Sequence, residues 1–133
     1  MKDNPCIIDA SFFLSFLLPN ETNYGLLQPL EDVFTARSKV YTPRIFLYET
    51  HNTILVSEKK GRITHAYAKR CIDLIKNIPI ELLDESSEMD EIFTFAKKYT
   101  LTIYDASYAY FSRKLKIPLL SLDKHLAPFS SIK

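Results

Sequence analysis

Glycine is nearly missing from this chain, with only Gly25 and Gly61 among 133 residues. That scarcity excludes the glycine-rich loops of P-loop and dinucleotide-binding domains, which need several positions without a side chain close to the phosphates. Cysteine is equally sparse: Cys6 and Cys71 stand in neither a CxxC nor a Cys/His spacing, so both read as buried reduced thiols. No apolar run is long enough to span a bilayer. The longest early one, ASFFLSFLLP, is about half a membrane span and ends at Pro19, and Asp9 interrupts what would have to be a signal-peptide core. The chain therefore reads as cytoplasmic. Charge of one sign is also lacking, the formal net charge being +1. A nucleic-acid partner would then have to be met by local basic groups or by bound cations.

What is present fits one globular domain over residues 1–133. Hydrophobic content of 47% stands beside charged content of 25%, without repeats or low-complexity segments, and the length suits one core. PCIID reads as a buried strand and ASFFLSFLLP as a helix stopped by Pro19. Residues 23–36 show helical spacing around Pro29. KVYT reads as a strand, with Thr42 as N-cap and Pro43 as first residue of a helix that runs to about Lys60 and stops at Gly61. RITHAYAKRCIDLIKNI reads as a helix and PIELL as a strand. SSEMDEIFTFAKKY reads as a helix capped by Ser87, with Lys97 and Lys98 in its last turn. A helix from about Asp105 to Lys114, the strand IPLLSL and a turn or short helix from Asp123 complete the chain. This alternation predicts an α/β fold, a mostly parallel sheet covered by helices on both faces.

Four acids stand out in that pattern. Asp9 ends the first strand and Asp123 the last, and sites in open α/β sheets form outside the carboxyl ends of the strands. Asp105 opens a helix expected to start on the same edge. Glu49 lies on the stripe Ile45, Glu49, Asn52, Val56, the face expected to turn inward, where Asn52 one turn on could orient it. Taken singly, Asp9 and Asp105 could be helix N-caps, Asp123 a turn residue and Glu49 a surface acid. Taken together, they are carboxylates beside buried surface with no cation in the same stretches, and such groups require a partner. A divalent metal is the natural one, and oxygen donors favour Mg²⁺ or Mn²⁺ over Zn²⁺. His51, His65 and His125 share no ligand spacing and read as ordinary surface or partly buried histidines.

Four ordered segments, IIDASFFLSFLLPNE, PRIFLYETHNTIL, GRITHAYAKRCIDLIKNIPIELLD and TIYDASYAYFSRKLKIPLLSLDKHL, resemble the PIN-domain family, and within it VapC-type toxins of toxin–antitoxin pairs. The resemblance implies a three-layer α/β/α fold and a Mg²⁺- or Mn²⁺-dependent endoribonuclease acting on RNA. It also implies a homodimer and a small antitoxin that silences it. It puts Asp9, Glu49, Asp105 and Asp123 at the family's acidic positions. Ser11 and Ser121 match the hydroxyl residues beside the first and last acids, and Asn52 a companion of the glutamate. The alternative reading is a catalytically silent PIN-like module that binds RNA or protein.

Overall fold

The computed structural model describes residues 4–18, 34–37 and 39–132. Its four strands are β1 (Cys6–Ile8), β2 (Val40–Pro43), β3 (Ile80–Leu83) and β4 (Leu119–Leu120). They form one sheet in the order β3-β2-β1-β4, every neighbouring pair being parallel. The helices are α1 (Ala10–Ser15), α2 (Ile45–Lys59), α3 (His65–Asn77), α4 (Met89–Tyr99) and α5 (Ile103–Leu115), with 3₁₀ turns over Glu85–Glu88 and Lys124–Phe129. The architecture is the expected three-layer α/β/α arrangement. Helix α5 lies across β1, β2 and β4 and carries α4 on its outer side, while α1, α2 and α3 pack on one another in turn.

The central strand explains the sheet's position. Cys6, Ile7 and Ile8 are fully buried, as an apolar run covered on both faces requires. Phe13 of α1 meets Phe46 of α2 edge to face at 5.3 Å, and both rings are buried, each contributing about 1.5–3 kcal/mol by leaving water. Helix α3 is capped by Thr64, whose hydroxyl accepts from the Tyr67 N–H at 3.1 Å. The Tyr67 hydroxyl in turn donates to the Leu17 carbonyl, tying α3 to the segment after α1. Helix α2 ends at Lys59 and the chain turns away at Gly61, whose φ of 73° suits a residue without a side chain. In so glycine-poor a chain α4 and α5 must end on Thr100 and Lys116, both left-handed at φ 56° and 57°.

Several sequence expectations are corrected. Thr42 and Pro43 belong to β2 rather than to the start of α2. Buried Thr42 donates its hydroxyl to the Ile8 carbonyl at 2.8 Å. The start of α2 has no side-chain cap of its own; the Glu85 carboxylate accepts instead from the Arg44 and Ile45 N–H groups at 2.9 and 2.6 Å. Ser87 does not cap α4: the 3₁₀ turn from Glu85 intervenes, capped by Asp84, and the Ser87 hydroxyl donates to the Asp84 carbonyl. The buried stripe of α2 is Phe46, Thr50, Ile54 and Ser57, one or two positions on from the expected one. Of the expected stripe, Ile45 and Glu49 are half-buried, while Asn52 and Val56 are exposed. Thr50 can replace an apolar residue there because its hydroxyl donates to the Phe46 carbonyl at 2.8 Å. Helix α1 stops at Ser15, and its expected stop at Pro19 lies outside the described residues. So does the expected helix over 23–36, apart from residues 34–36, which are helical.

Candidate active site

A parallel sheet puts all its carboxyl ends on one edge, and β1 and β4 are adjacent. Asp9 directly follows β1, is 3% exposed and is the N-cap of α1, accepting from the Phe12 N–H at 2.9 Å. Its first carboxylate oxygen also accepts from the Ser11 hydroxyl at 2.7 Å, and its second from the Ser121 hydroxyl. The two serines act in the other direction as well. Ser11 Oγ accepts from the Leu122 N–H at 3.0 Å, and Ser121 Oγ accepts from the Asp123 N–H at 3.0 Å. The loop after β4 is thus fastened to the end of β1 through the hydroxyls that orient Asp9, and this sets where Asp123 lies.

Asp123 caps the 3₁₀ turn that follows, its Oδ1 accepting from the His125 N–H at 2.8 Å. The His125 Nδ1 lies 3.2 Å from the same oxygen. Asp105 sits in the first turn of α5 but is not its cap. Thr102 is, with its hydroxyl accepting from the Asp105 N–H at 3.1 Å, so the Asp105 carboxylate is left for other work. One ligand atom each from Asp105, Asp123 and His125 lie within 4.8 Å of one another. Glu49 reaches the edge from α2 and is held by Tyr108, whose hydroxyl donates to Glu49 Oε1 at 2.6 Å.

The electrostatics agree with the geometry. Burial pushes the Asp9 carboxyl above the usual range, against the hydrogen bonds from Ser121, Phe12 and Ser11, and the Asp123 charge adds to the push. Burial also raises Glu49; the Tyr108 bond opposes this, and the charges of Asp105, Asp9 and Asp123 reinforce it. Asp105 is raised by burial, then by Asp123 and Asp9, with His125 opposing. The charges are therefore coupled: Glu49 feels the other three acids, Asp105 feels Asp123 and Asp9, and Asp9 feels Asp123. Among the described residues none of the four is paired to a lysine or arginine. Burial and the Glu49 charge push the Tyr108 phenol far above its ordinary range, which makes it a permanent donor to Glu49.

All four acids thus meet on one edge, with Ser11 and Ser121 between them. Asn52 is not the group that holds Glu49; it is exposed and lines a cleft with it. Sequence reasoning missed Tyr108 and set aside His125. The available signals were that Tyr108 follows Asp105 by three residues, one helical turn, and that His125 follows Asp123 by two. Carboxylate oxygens with one imidazole make a donor set for a hard or borderline divalent cation, and like charges held together at buried and half-buried positions are the feature such an ion would relieve.

The sequence profile of the PIN domain matches residues 6–131, nearly the whole chain. The chain belongs to the PIN-domain family. Among curated PIN relatives it is 27% identical over 113 residues to the exonuclease VapC9 of Pyrobaculum aerophilum, covering 85% of this chain and 84% of that protein. It is 22% identical over 123 residues to the ribonuclease VapC3 of the same organism, covering 91% of each. The fold matches the crystal structure of PAE2754 from P. aerophilum with TM-score 0.76 and 23% identity, over 96% of this chain and 86% of that one. It also matches Mycobacterium tuberculosis VapC20, described as a sarcin–ricin loop cleaving toxin, with TM-score 0.70 and 15% identity, over 96% and 98%. Among the described residues no helix of this PIN domain is long and apolar enough to cross a membrane.

Proposed function

We propose that this PIN domain is a metal-dependent endoribonuclease and the toxin of a toxin–antitoxin pair, with Asp9, Glu49, Asp105 and Asp123 as its catalytic and metal-binding residues. The observation that carries the reading is the gathering of four carboxylates on one sheet edge, coupled by their charges and, among the described residues, with no lysine or arginine paired to them. Mg²⁺ or Mn²⁺ suits the donor set, and when bound such an ion supplies an activated water and charge stabilisation for phosphodiester hydrolysis.

On this reading Asp105 and Asp123 present oxygens to the ion, and the His125 ring, within reach of both, extends the oxygen set with a nitrogen. Asp9 keeps a fixed orientation because Phe12, Ser11 and Ser121 hold both its oxygens. Glu49 keeps one oxygen on Tyr108 and presents the other to the site. The curated relatives named as VapC nucleases support the nuclease class and, with it, RNA as substrate and an antitoxin as partner. A metal-free acidic edge also attracts cations, so the antitoxin is expected to offer an arginine or lysine to it. A homodimer belongs to the same reading.

A circular single-stranded RNA, incubated with chelator-treated protein and then with added Mg²⁺, tests both metal dependence and mode of attack. The expected result is no cutting in chelator and linear product with Mg²⁺, because an endonuclease needs no chain end. Undiminished cutting without metal would overturn the metal mechanism. A linear RNA degraded while the circle survives would make the enzyme an exonuclease, and RNA binding with no cutting of either would favour the silent module.

A further inference from the structure

Beside the carboxylate edge the structure holds a cleft of about 390 Å³ lined by Ile45, Tyr48, Glu49, Asn52 and Tyr104. Tyr48 comes from α2 and Tyr104 from α5, and the two rings are 75% and 57% exposed. Among the described residues neither ring makes a hydrogen bond or a ring contact. A single exposed tyrosine needs no explanation. Two of them, carried by different helices to one cleft that a catalytic carboxylate also lines, form an arrangement the core does not require.

We infer that this cleft is the substrate's base-binding site, in which Tyr48 and Tyr104 stack nucleobases of single-stranded RNA as the strand enters the carboxylate edge. The inference rests on the nuclease reading above and adds to it which part of the substrate is held, and by what. Among the described residues no lysine or arginine lines the cleft, so it suits the uncharged bases of a strand and not its phosphates. Phenol rings offer flat, amphipathic faces of the kind on which bases stack irrespective of sequence. The Asn52 amide supplies a donor and an acceptor for a base edge. Duplex RNA keeps its bases stacked on one another, so the cleft selects single strands and loops. Tyr48 and Asn52 also line the neighbouring groove, whose cation is Arg44, and there an adjoining phosphate finds a partner.

The test is the affinity of the full-length protein for a 12-nucleotide oligouridylate, and for an abasic ribose–phosphate strand of equal length, with Ca²⁺ present and the strands checked for integrity. Tyr48→Leu and Tyr104→Leu are expected to weaken oligouridylate binding roughly 5- to 150-fold for each stacked base lost. Tyr48→Phe and Tyr104→Phe, which keep the ring, are expected to stay close to the parent. Against the abasic strand, parent and leucine variants are expected to bind alike. Leucine variants that bind oligouridylate like the parent, or that lose the same factor on the abasic strand, would overturn the stacking role. So would a leucine variant with intact RNA binding and an altered sedimentation coefficient, which would make this face a protein interface. If the parent cuts circular RNA with Mg²⁺ while the leucine variants bind normally, only the stacking cleft fails; a parent that neither binds nor cuts RNA removes the nuclease reading as well.

Discussion

Glu49 and Tyr108 are 59 residues apart in sequence and 2.6 Å apart in space. The contact makes a half-buried carboxylate a fixed one. Tyr108→Phe keeps the buried ring and removes only the donor, so the fold is expected to lose about 1–2 kcal/mol in a denaturant titration. Without that bond the Glu49 pKa moves further up, since the hydrogen bond is what opposes burial. The acid limb of the cleavage profile should then move to higher pH in Tyr108→Phe. An unchanged acid limb would separate Tyr108 from the chemistry. At this scale Asp9 stood out because a strand end followed by a helix start carries it, while Ser11 and Ser121 entered only through the resemblance to the PIN-domain family. Tyr108 was not legible, since nothing local distinguishes a buried tyrosine that donates to a carboxylate from one that only fills the core. Whether Asp105 is only a cap was open in the sequence for a related reason: Thr102 and Asp105 are both cap-forming types, and only the hydrogen bond at 3.1 Å tells which one caps.

Helix α2 carries Glu49 and Tyr48, and its position depends on a residue outside it. The Glu85 carboxylate satisfies the Arg44 and Ile45 N–H groups from across the sheet edge, where a side chain within the helix would ordinarily do so. Glu85→Ala leaves two donors without their acceptor in a largely buried place, and is expected to cost about 1–3 kcal/mol of stability. Glu85→Gln keeps one acceptor and should cost less. Urea unfolding of both variants checks the order, and equal, negligible costs would show that water caps the helix adequately. The sequence could not reveal this cap, because a helix start is read from its own first residues and here the acceptor lies 40 residues away. The buried stripe of α2 escaped for another reason. Thr50 and Ser57 occupy inward positions, which hides the apolar period, and Glu49 shares the helix's site-facing rim.

At the scale of the molecule, strand and helix order was readable throughout the described residues, because apolar strands alternating with amphipathic helices have few other ways to bury their surfaces. The charge balance of the edge was readable only as an expectation, since repulsion between Asp9, Glu49, Asp105 and Asp123 exists only once the chain has brought them together. The three acids whose pKa values are raised hold a proton more firmly folded than unfolded. Metal-free protein should therefore lose stability as pH rises above the ordinary carboxylate range and through their folded values, and regain it as pH falls. Glu88 works in the opposite direction: hydrogen bonds from Lys114 and Tyr110 lower its pKa, a contribution present above the ordinary range and lost in acid. A divalent ion bound there, as proposed, is expected to neutralise the edge and flatten the first dependence without touching the second.

Thermal melts of the parent and of Asp105→Asn at neutral pH, each in chelator and in excess Mg²⁺, test this balance most directly. Because Thr102 and not Asp105 caps α5, the substitution removes a charge from the cluster and leaves the helix start intact. In chelator the asparagine variant is expected to melt about 2–5 °C above the parent. In Mg²⁺ the parent is expected to gain more than the variant, so that the difference closes or reverses. An asparagine variant that melts with the parent in chelator and gains the same from Mg²⁺ would contradict the account, because the four acids would then be neither a repelling cluster nor a site for a cation.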